Sequence, residues 1–312
     1  MTSTMMRATK PTSDSAALRQ ALGRWYRVNG RHALDWRLTR DPYAVLVSEI
    51  MLQQTQVERV LPYYRSWLAR WPDAAALAGA PTAEVIRLWS GLGYNRRAVQ
   101  LQRAAATALE RHGAIPTGYD SLIALPGVGP YTAAAVACFA AGARIPVVDT
   151  NIARVVARHQ MGVDTHRAVL AARLSEVAEA LLPARGARDH NLALMDLGAL
   201  VCRSRGPACD ACPLVRTCLW RRAGAPSTPR PASTALPFEA TARFARGRIV
   251  EALRQASAPL TSFELCEALP SEHRERLAAY LSGLQGDGLV ECVGGAWALP
   301  GHGRMSMASP NE

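Results

Sequence analysis

The chain has 312 residues, of which 49% are hydrophobic and 6% aromatic, as in a globular protein with room for two domains. Its 36 Lys and Arg residues against 25 Asp and Glu residues give a net charge of +11, which indicates either a polyanionic partner such as nucleic acid or a merely basic surface. No apolar segment suits a signal peptide or a membrane span, so secreted and membrane proteins are excluded and a cytoplasmic location is expected.

The predicted elements between residues 15 and 222 are amphipathic helices separated by Gly and Pro turns. Apolar residues recur there with helical spacing, and no segment alternates convincingly as a strand would. Residues 1–14, which precede this region, are expected to be disordered. The sequence therefore predicts an all-α region over 15–222, with helix hairpins as its repeating unit.

A Pro-rich segment, residues 223–240, follows the helical region and is expected to be a linker. Residues 241–300 are predicted to form three short helices and then two short strands around Gly294 and Gly295. This order is typical of a winged helix-turn-helix, and a generic small α+β module is the alternative. Residues 301–312 are expected to be a disordered tail.

The stretch Leu-Pro-Gly-Val-Gly at residues 125–129 is a candidate phosphate-binding turn. Gly127 and Gly129 free the backbone just before an apolar helix, so that N–H groups at the helix N-terminus can approach an anion. The motif predicts a helix-hairpin-helix clamp, although a plain interhelical turn would also explain the glycines. A nucleotide P-loop is excluded because the sequence contains no G-x4-G-K-S/T.

Four of the seven cysteines form a cluster with the spacing C-x6-C-x2-C-x5-C: Cys202, Cys209, Cys212 and Cys218. Four thiolates over so short a span predict one metal centre, either a tetrahedral zinc ion or a 4Fe-4S cluster. Zinc sites usually pair two C-x2-C knuckles, whereas only one is present here, so the spacing favours the iron-sulfur cluster. The arginines in and beside this loop indicate either a phosphate contact or a solvated basic face.

Together, the glycine turn, the VVDTN segment at 147–151 and the cysteine spacing resemble the helix-hairpin-helix DNA glycosylases with an iron-sulfur cluster. Within that superfamily, SEIMLQQTQV at 48–57 resembles the adenine-specific mismatch glycosylases. The resemblance covers about residues 18–222 and implies a two-lobed, mainly α fold with one 4Fe-4S cluster. It also implies that a monomer binds mismatched double-stranded DNA and excises adenine opposite 8-oxoguanine or guanine.

The resemblance assigns roles to two carboxylates, because Glu49 and Asp149 fall on the catalytic positions of the family. Hydrolysis of the adenine–sugar bond requires protonation of the leaving base and negative charge near the cationic sugar. Glu49, in largely apolar surroundings, is expected to protonate adenine at N7, and Asp149 to stabilise the sugar cation or trap it covalently. Gln53 is expected one helical turn after Glu49, on the same face.

Further positions match the DNA contacts of the family. Leu92 and Tyr94 are expected to press into the DNA stack beside the orphan base, the base left without a partner, and Gln54 and Thr55 to contact it. Positions that match the adenine pocket are Trp36, Arg37, Leu52 and Val57. Tyr131 stands where the related endonuclease III has a Schiff-base lysine, so cleavage by β-elimination is expected to be absent or weak.

Some features depart from the family and leave alternatives open. Asn151 matches the adenine enzymes, whereas Thr150 matches endonuclease III. Leu192 replaces a polar residue, His32 replaces an arginine, and residues 241–300 look too short and too helical for a domain that recognises 8-oxoguanine. The alternatives are a glycosylase for T or U opposite G, and a non-catalytic iron-sulfur regulator that binds DNA.

Overall fold

The computed structural model describes residues 13–226 and 236–301. Within these residues the chain forms helices α1 to α17 and one two-stranded sheet. Both strands lie beyond residue 290, so the mainly α fold predicted from the sequence is confirmed for the described part of the chain. Most of the predicted disordered ends lies outside the described residues, although α1 already begins at Ser13. No described helix is long and apolar enough to cross a membrane.

Backbone contacts divide the chain into two compact units, of which unit 1 comprises residues 1–42, 117–119 and 129–231. Its described helices are α1 Ser13–Asn29, α2 Asp35–Leu38, α9 Pro130–Ala141, α10 Thr150–Met161, α11 Ala171–Leu181, α12 Ala187–Asp196 and α13 Leu219–Arg222. The amphipathic α10 contacts α11, α12 and α13 and so occupies the middle of this unit. One π-helical turn, Leu197–Val201, leads from α12 towards the cysteine loop, which we define as residues 202–218.

Unit 2 comprises residues 43–116, 120–128 and 232–312. Its first helices are α3 Pro42–Leu52, α4 Val57–Arg70, α5 Ala74–Ala78, α6 Thr82–Leu88, α7 Arg96–His112 and α8 Tyr119–Ile123. The core of this part is aromatic: Trp67 packs edge-on against Trp71 and Trp89, with ring centroids 4.7 and 5.3 Å apart. Such tilted arrangements are favoured by the charge distribution of aromatic rings.

The C-terminal module, residues 241–300, belongs to unit 2 and has the predicted order of helices followed by a hairpin. Its elements are α14 Ala242–Gln255, α15 Ser262–Glu267, α16 Ser271–Arg274, α17 Leu277–Gly286, β1 Glu291–Val293 and β2 Ala296–Ala298. The predicted third helix is therefore split into α16 and α17. Gly294 and Gly295 form the hairpin turn with φ of 60° and 83°, the left-handed pair that a type I′ turn requires.

The C-terminal module packs against α6 and α7 through one continuous apolar core. Ile86 and Val99 share that core with Ile249 and Leu253 of α14. The side chain of Arg254 reinforces the contact, since its Nη2 donates to Asn95 Oδ1 at 2.8 Å and its Nε to the Ile86 carbonyl oxygen at 3.1 Å. The C-terminal module therefore packs with residues 43–116, although the linker predicted at 223–240 suggests a separate domain.

Candidate active site

Glu49 lies near the end of α3, a helix that is apolar on every side. All residues from Tyr43 to Met51 are buried, and Glu49 itself is only 6% exposed. The hydroxyl of Ser48 is satisfied within the helix by the Val45 carbonyl oxygen at 2.8 Å. Glu49 is therefore a buried residue of a packed helix, and the apolar surroundings of its carboxyl group stay a prediction.

The sequence predicts that Gln53 lies on the same helix as Glu49, and the structure shows that it does not. Helix α3 ends at Leu52, and Gln53 lies in the turn that connects it to α4. Arg97 binds this helix end, because its Nη1 donates to three carbonyl oxygens, those of Ile50, Met51 and Gln53, at 2.8, 3.0 and 2.7 Å. The last carbonyl groups of a helix lack partners within it, and here a side chain supplies them.

Arg97 also binds the loop before α7 and so joins two loops of unit 2. Its Nη2 donates to the carbonyl oxygens of Leu92 and Gly93 at 3.1 and 3.0 Å, and to Thr55 Oγ1 at 3.3 Å. Burial lowers the pKa of Arg97 to about 10, so the guanidinium remains charged at neutral pH. Sequence reasoning missed this residue, because an arginine on an amphipathic helix carries no signal that it is half-buried and bound to distant carbonyl groups.

Gln54 and Tyr94 are brought together at the tips of these two loops. Both adopt left-handed backbone conformations, with φ of 56° and 47°, which are uncommon for residues other than glycine. The Tyr94 hydroxyl donates a hydrogen bond to Gln54 Oε1, and Tyr94 is 36% exposed. Leu92 is predicted to press into the DNA stack, but in the structure it is buried in the core with 5% exposure.

The remaining predicted contacts of unit 2 lie at the same helix end. Leu52, Gln53 and Thr55 are half-buried, and Val57 begins α4 in a half-buried position. This end of α3 therefore combines the exposed amides of Gln54 and Gln56 with partly covered apolar and hydroxyl groups. These residue types suit contact with a nucleobase, whose faces are apolar and whose edges are polar.

The predicted glycine turn precedes α9, and its two glycines serve different purposes. Gly127 has φ of 74°, and a Cβ there would come within 2.7 Å of Gln100 Cβ, so no larger residue fits. Gly129 is the N-cap of α9, and the space where its Cβ would project is open. Tyr131 is the second residue of α9 and is half-buried. An anion could thus approach the positive N-terminal end of α9 at Gly129.

Asp149 is the N-cap of α10 in unit 1. Its Oδ1 accepts a hydrogen bond from the Ile152 backbone N–H at 2.7 Å, and its Oδ2 accepts one from Asn151 Nδ2 at 2.8 Å. Burial raises the pKa of Asp149 above its usual range, although these two hydrogen bonds act in the opposite direction. The carboxylate is therefore oriented by donors on its own helix.

Asn151 connects Asp149 to the cysteine loop through Arg154. Arg154 Nη2 donates to Asn151 Oδ1 at 2.8 Å, and its Nε donates to the Cys202 carbonyl oxygen at 2.6 Å. Gly198 of the π-helical turn lies so close that a Cβ there would be 2.6 Å from Asn151 Cβ. The orientation of Asn151 thus depends on the turn that leads into the cysteine loop.

Trp36 and Arg37 lie on α2, and the guanidinium of Arg37 is engaged within the protein. Its two Nη atoms donate to both oxygens of Asp196, at 2.6 and 2.8 Å, and Arg31 Nε donates to the same carboxylate at 2.6 Å. Asp196 is fully buried. Burial raises its pKa, but the hydrogen bonds and charges of Arg37 and Arg31 prevail and hold the pKa of Asp196 below its usual range. Asp196 is a second residue that sequence reasoning missed.

The four predicted ligand cysteines surround one cavity of unit 1. The cavity lining includes Cys202, Cys209, Cys212, Cys218, Arg158 and Trp220, and all four thiols are free. Burial and, after it, the charges of the other three thiols raise the pKa of Cys212 to about 11. In the part of the chain that the structure describes, no three His, Cys, Asp or Glu side chains are grouped to hold a metal ion. The four thiols therefore line one shared space, and the 4Fe-4S cluster stays a prediction.

Comparison with known proteins identifies the chain's relatives. Residues 47–193 match the model of the HhH-GPD superfamily base excision DNA repair proteins. The adenine DNA glycosylase of Mycobacterium tuberculosis is 44% identical over 283 residues, which cover 89% of this chain and 92% of that protein. The adenine DNA glycosylase of Mycolicibacterium smegmatis is 43% identical over 282 residues, which cover 89% of this chain and 94% of that protein.

Solved structures share the fold. A thermostable thymine-DNA glycosylase superposes with a TM-score of 0.62 and 31% identity over 67% of this chain and 98% of that chain. An endonuclease III–DNA covalent intermediate superposes with a TM-score of 0.58 and 20% identity over 68% of this chain and 99% of that chain. At this low identity the similarity shows a shared fold only. The chain therefore belongs to the adenine DNA glycosylase family of the helix-hairpin-helix superfamily, and it is a base-excision-repair DNA glycosylase whose partner is DNA.

Proposed function

We propose that this glycosylase hydrolyses the N-glycosidic bond of adenine mispaired with 8-oxoguanine or guanine, acting as a monomer on double-stranded DNA. The observation that carries the proposal is the burial of Glu49 in the apolar helix α3. A carboxyl group that is shielded from bulk water is suited to act as the general acid for a leaving base. The relatives named adenine DNA glycosylases supply the identity of that base.

In this proposal Glu49 transfers its proton to N7 of an extruded adenine. Protonation withdraws electrons from the bond between N9 and C1′, so the bond breaks and adenine leaves with its electron pair. The sugar becomes an oxocarbenium-like cation. Water then adds to C1′ and loses a proton, which restores the protonated Glu49 through solvent, so that the net reaction consumes one water and yields adenine and an abasic site.

Asp149 stabilises the sugar cation or traps it as a covalent intermediate that water later releases. Both roles require the ionised carboxylate. Its hydrogen bonds from Asn151 and Ile152 support this state, because they favour the charged form against the effect of burial. Asn151 is thus proposed as a positioning residue for Asp149.

The DNA is proposed to be held by the glycine turn and by the two loops of unit 2. The N-terminus of α9 at Gly129 is suited to a phosphate, and Gly127 shapes the turn before it. Tyr94 is proposed as the inserted residue, with Gln54 and Thr55 contacting the orphan base. Leu92 is left out of this role because it is buried.

Tyr131 and the cysteine loop complete the proposal. A tyrosine cannot form an imine with the abasic sugar, so we expect little strand cleavage by β-elimination. One 4Fe-4S cluster held by Cys202, Cys209, Cys212 and Cys218 would brace the cysteine loop and, through the Cys202 carbonyl group, Arg154. No step of the reaction involves this cluster.

A second candidate activity is removal of thymine or uracil opposite guanine. It is favoured by the 31% identity to a thymine-DNA glycosylase and by the apolar Leu192, which replaces the polar residue expected near adenine. Labelled duplexes with A:8-oxoguanine, A:G, T:G and U:G pairs separate the two. Alkali-dependent cutting at adenine supports the proposal, and cutting only at T or U contradicts it.

A further inference from the structure

Unit 2 contains a second candidate binding site. It is formed jointly by the C-terminal module and by the two loops that Arg97 joins, residues 53–56 after α3 and residues 89–95 before α7. A cavity of about 700 Å³ lies there, within the range of roughly 300–1,000 Å³ typical of ligand sites. Its lining includes Gln54, Tyr94, Phe238, Arg243 and Arg248. We call it the Arg243 pocket.

Arg243, the second residue of α14, lies against two aromatic rings in this pocket. Its guanidinium carbon is 4.4 Å from the ring centroid of Tyr94 and 4.8 Å from that of Phe238. Its Nη1 donates to the Tyr94 hydroxyl, which in turn donates to Gln54 Oε1. A planar, charged group thus lies against two aromatic faces that are themselves partly exposed, at 36% and 48%.

The charge of the pocket favours an anion. Its lining includes five guanidinium groups, those of Arg96, Arg97, Arg243, Arg246 and Arg248, and the carboxylate of Asp287. Asp287 pairs with Arg96 and Arg246, and Arg97 is occupied by backbone carbonyl groups. Arg243 and Arg248 remain exposed to solvent. A ligand that combines a planar ring with a phosphate matches both the aromatic faces and these two cations.

We propose that the Arg243 pocket binds one nucleotide of the DNA strand opposite the excised base. Its base stacks on Phe238 and Tyr94, in the space that the Arg243 guanidinium now fills, and Arg243 and Arg248 contact its phosphate. The inference rests on the proposed function, which makes Tyr94 and Gln54 contacts to the orphan base. Because both residues also line the pocket, its nucleotide is the orphan nucleotide or its direct neighbour.

The consequence is a DNA-binding role for the C-terminal module. Phe238 and Arg243 come from the module or the residues just before it, whereas Tyr94 precedes α7. The left-handed backbone of Gln54 and Tyr94 holds their side chains where the module can reach them. In this proposal, residues from two separate segments of the chain contact the DNA strand opposite the target base.

A fluorescence experiment tests this inference with the full-length protein. The duplex carries a 2′-fluoro adenosine at the target, which resists cleavage, and 2-aminopurine placed in turn at the orphan position, at its two neighbours and in the target strand. Stacking quenches 2-aminopurine, so one opposite-strand position should stay quenched in the complex. It should brighten severalfold in Phe238→Leu, and Arg243→Ala should lower the slope of log affinity against log salt by about 1.

Matched controls come from the same module. Phe263 is 75% exposed and lies outside the pocket lining, and Arg276 lies over the Tyr280 ring at 5.3 Å, also outside the lining. Phe263→Leu and Arg276→Ala should behave as wild type. The inference is overturned if Phe238→Leu leaves every position unchanged, if the controls give the same brightening, or if only the target strand responds.

A parallel assay of base release separates this inference from the proposed function. If the wild-type protein releases no adenine but the Phe238-dependent signal is present, the proposed function fails and the pocket stands. If adenine is released and the signal is absent, the pocket fails and the proposed function stands.

Discussion

Asn151 donates a hydrogen bond from Nδ2 to Oδ2 of Asp149 across 2.8 Å, and its own Oδ1 accepts from Arg154. The amide is therefore held from both sides, and its donor end can only face the carboxylate. This arrangement fixes the orientation of Asp149 and favours its ionised form.

Asn151→Ala should move the acid limb of the excision rate to higher pH. Burial already raises the pKa of Asp149, and the hydrogen bond from Asn151 lowers it, so removing that bond raises the pKa further. The active, ionised form would then be lost at a higher pH as the solution is acidified. Single-turnover rates from pH 4 to pH 9 measure the shift, with Gln160→Ala on the same helix as the control. An acid limb that stays in place or moves down contradicts the assignment.

Arg97→Lys should impair excision strongly while the fold persists. Lysine keeps the charge, but its single ammonium group cannot bind the end of α3 and the loop before α7 together. Displacement of catalytic groups by about 1 Å typically costs on the order of 100-fold in rate. Arg111 lies on the same helix, is exposed and is outside the lining of the Arg243 pocket, so Arg111→Lys is the control. Equal rates in both variants would show that the Arg97 contacts do not position the site.

Asp196→Asn should lower the free energy of unfolding at pH 7 by about 3–5 kcal/mol, because it leaves the buried guanidinium of Arg37 without its counter-charge. Urea denaturation measures the change. Asp189→Asn is the control, since the Asp189 side chain is 70% exposed and its loss should change stability by less than about 0.5 kcal/mol. A similar small change for both variants would contradict the structural role of Asp196.

The same residue predicts how stability depends on pH. The pKa of Asp196 is lowered in the folded protein, so its contribution is complete above the unfolded value of about 3.9. It is lost as the pH falls through the folded value. Wild type should therefore lose stability in this acid range more steeply than Asp196→Asn. Parallel acid profiles for the two proteins would refute this linkage.

The four cysteines of the cysteine loop predict the iron and sulfide content of the purified protein. Purified protein should contain about four irons and four sulfides per chain, and Cys212→Ser should lose most of both. Cys292, which is exposed, serves as the control in Cys292→Ser and should retain the full content. If the wild type contains zinc and no iron, the prediction of a 4Fe-4S cluster is wrong and the four cysteines bind a single zinc ion.

The sequence predicts the local features of the molecule well and the long-range ones poorly. Helical periodicity and the glycine and cysteine motifs indicate the mainly α fold, the hairpin at Gly294 and the cavity-lining cysteines, because each is encoded within a few consecutive residues. The break after Leu52 was not predicted, since the connecting residues 53–56 are Gln, Gln, Thr and Gln and include no Gly or Pro to mark a turn. At this break Gln54 adopts a left-handed conformation, and Arg97, which is distant in sequence, binds the end of α3.

Residues that depend on distant partners were missed for the same reason. Asp196 and Arg97 are ordinary charged residues in sequence, and their importance comes from partners far along the chain: Arg31 and Arg37 for the first, and the carbonyl groups of α3 for the second. Leu92 was assigned to DNA contact by its motif, but packing within unit 2 buries it. The association of the C-terminal module with α6 and α7 likewise depends on a shared core that no local pattern reveals.

The most direct test of the proposed mechanism is the single-turnover release of adenine from an A:8-oxoguanine duplex by wild type, Glu49→Gln and Asp149→Asn. Abasic product is revealed by alkali, and duplex affinity is measured in parallel. We expect adenine release by the wild type, a loss of about 100-fold to 10,000-fold in Glu49→Gln, a comparable loss in Asp149→Asn, and retained binding in both. Release by Glu49→Gln within a few fold of wild type would contradict its role as the proton donor.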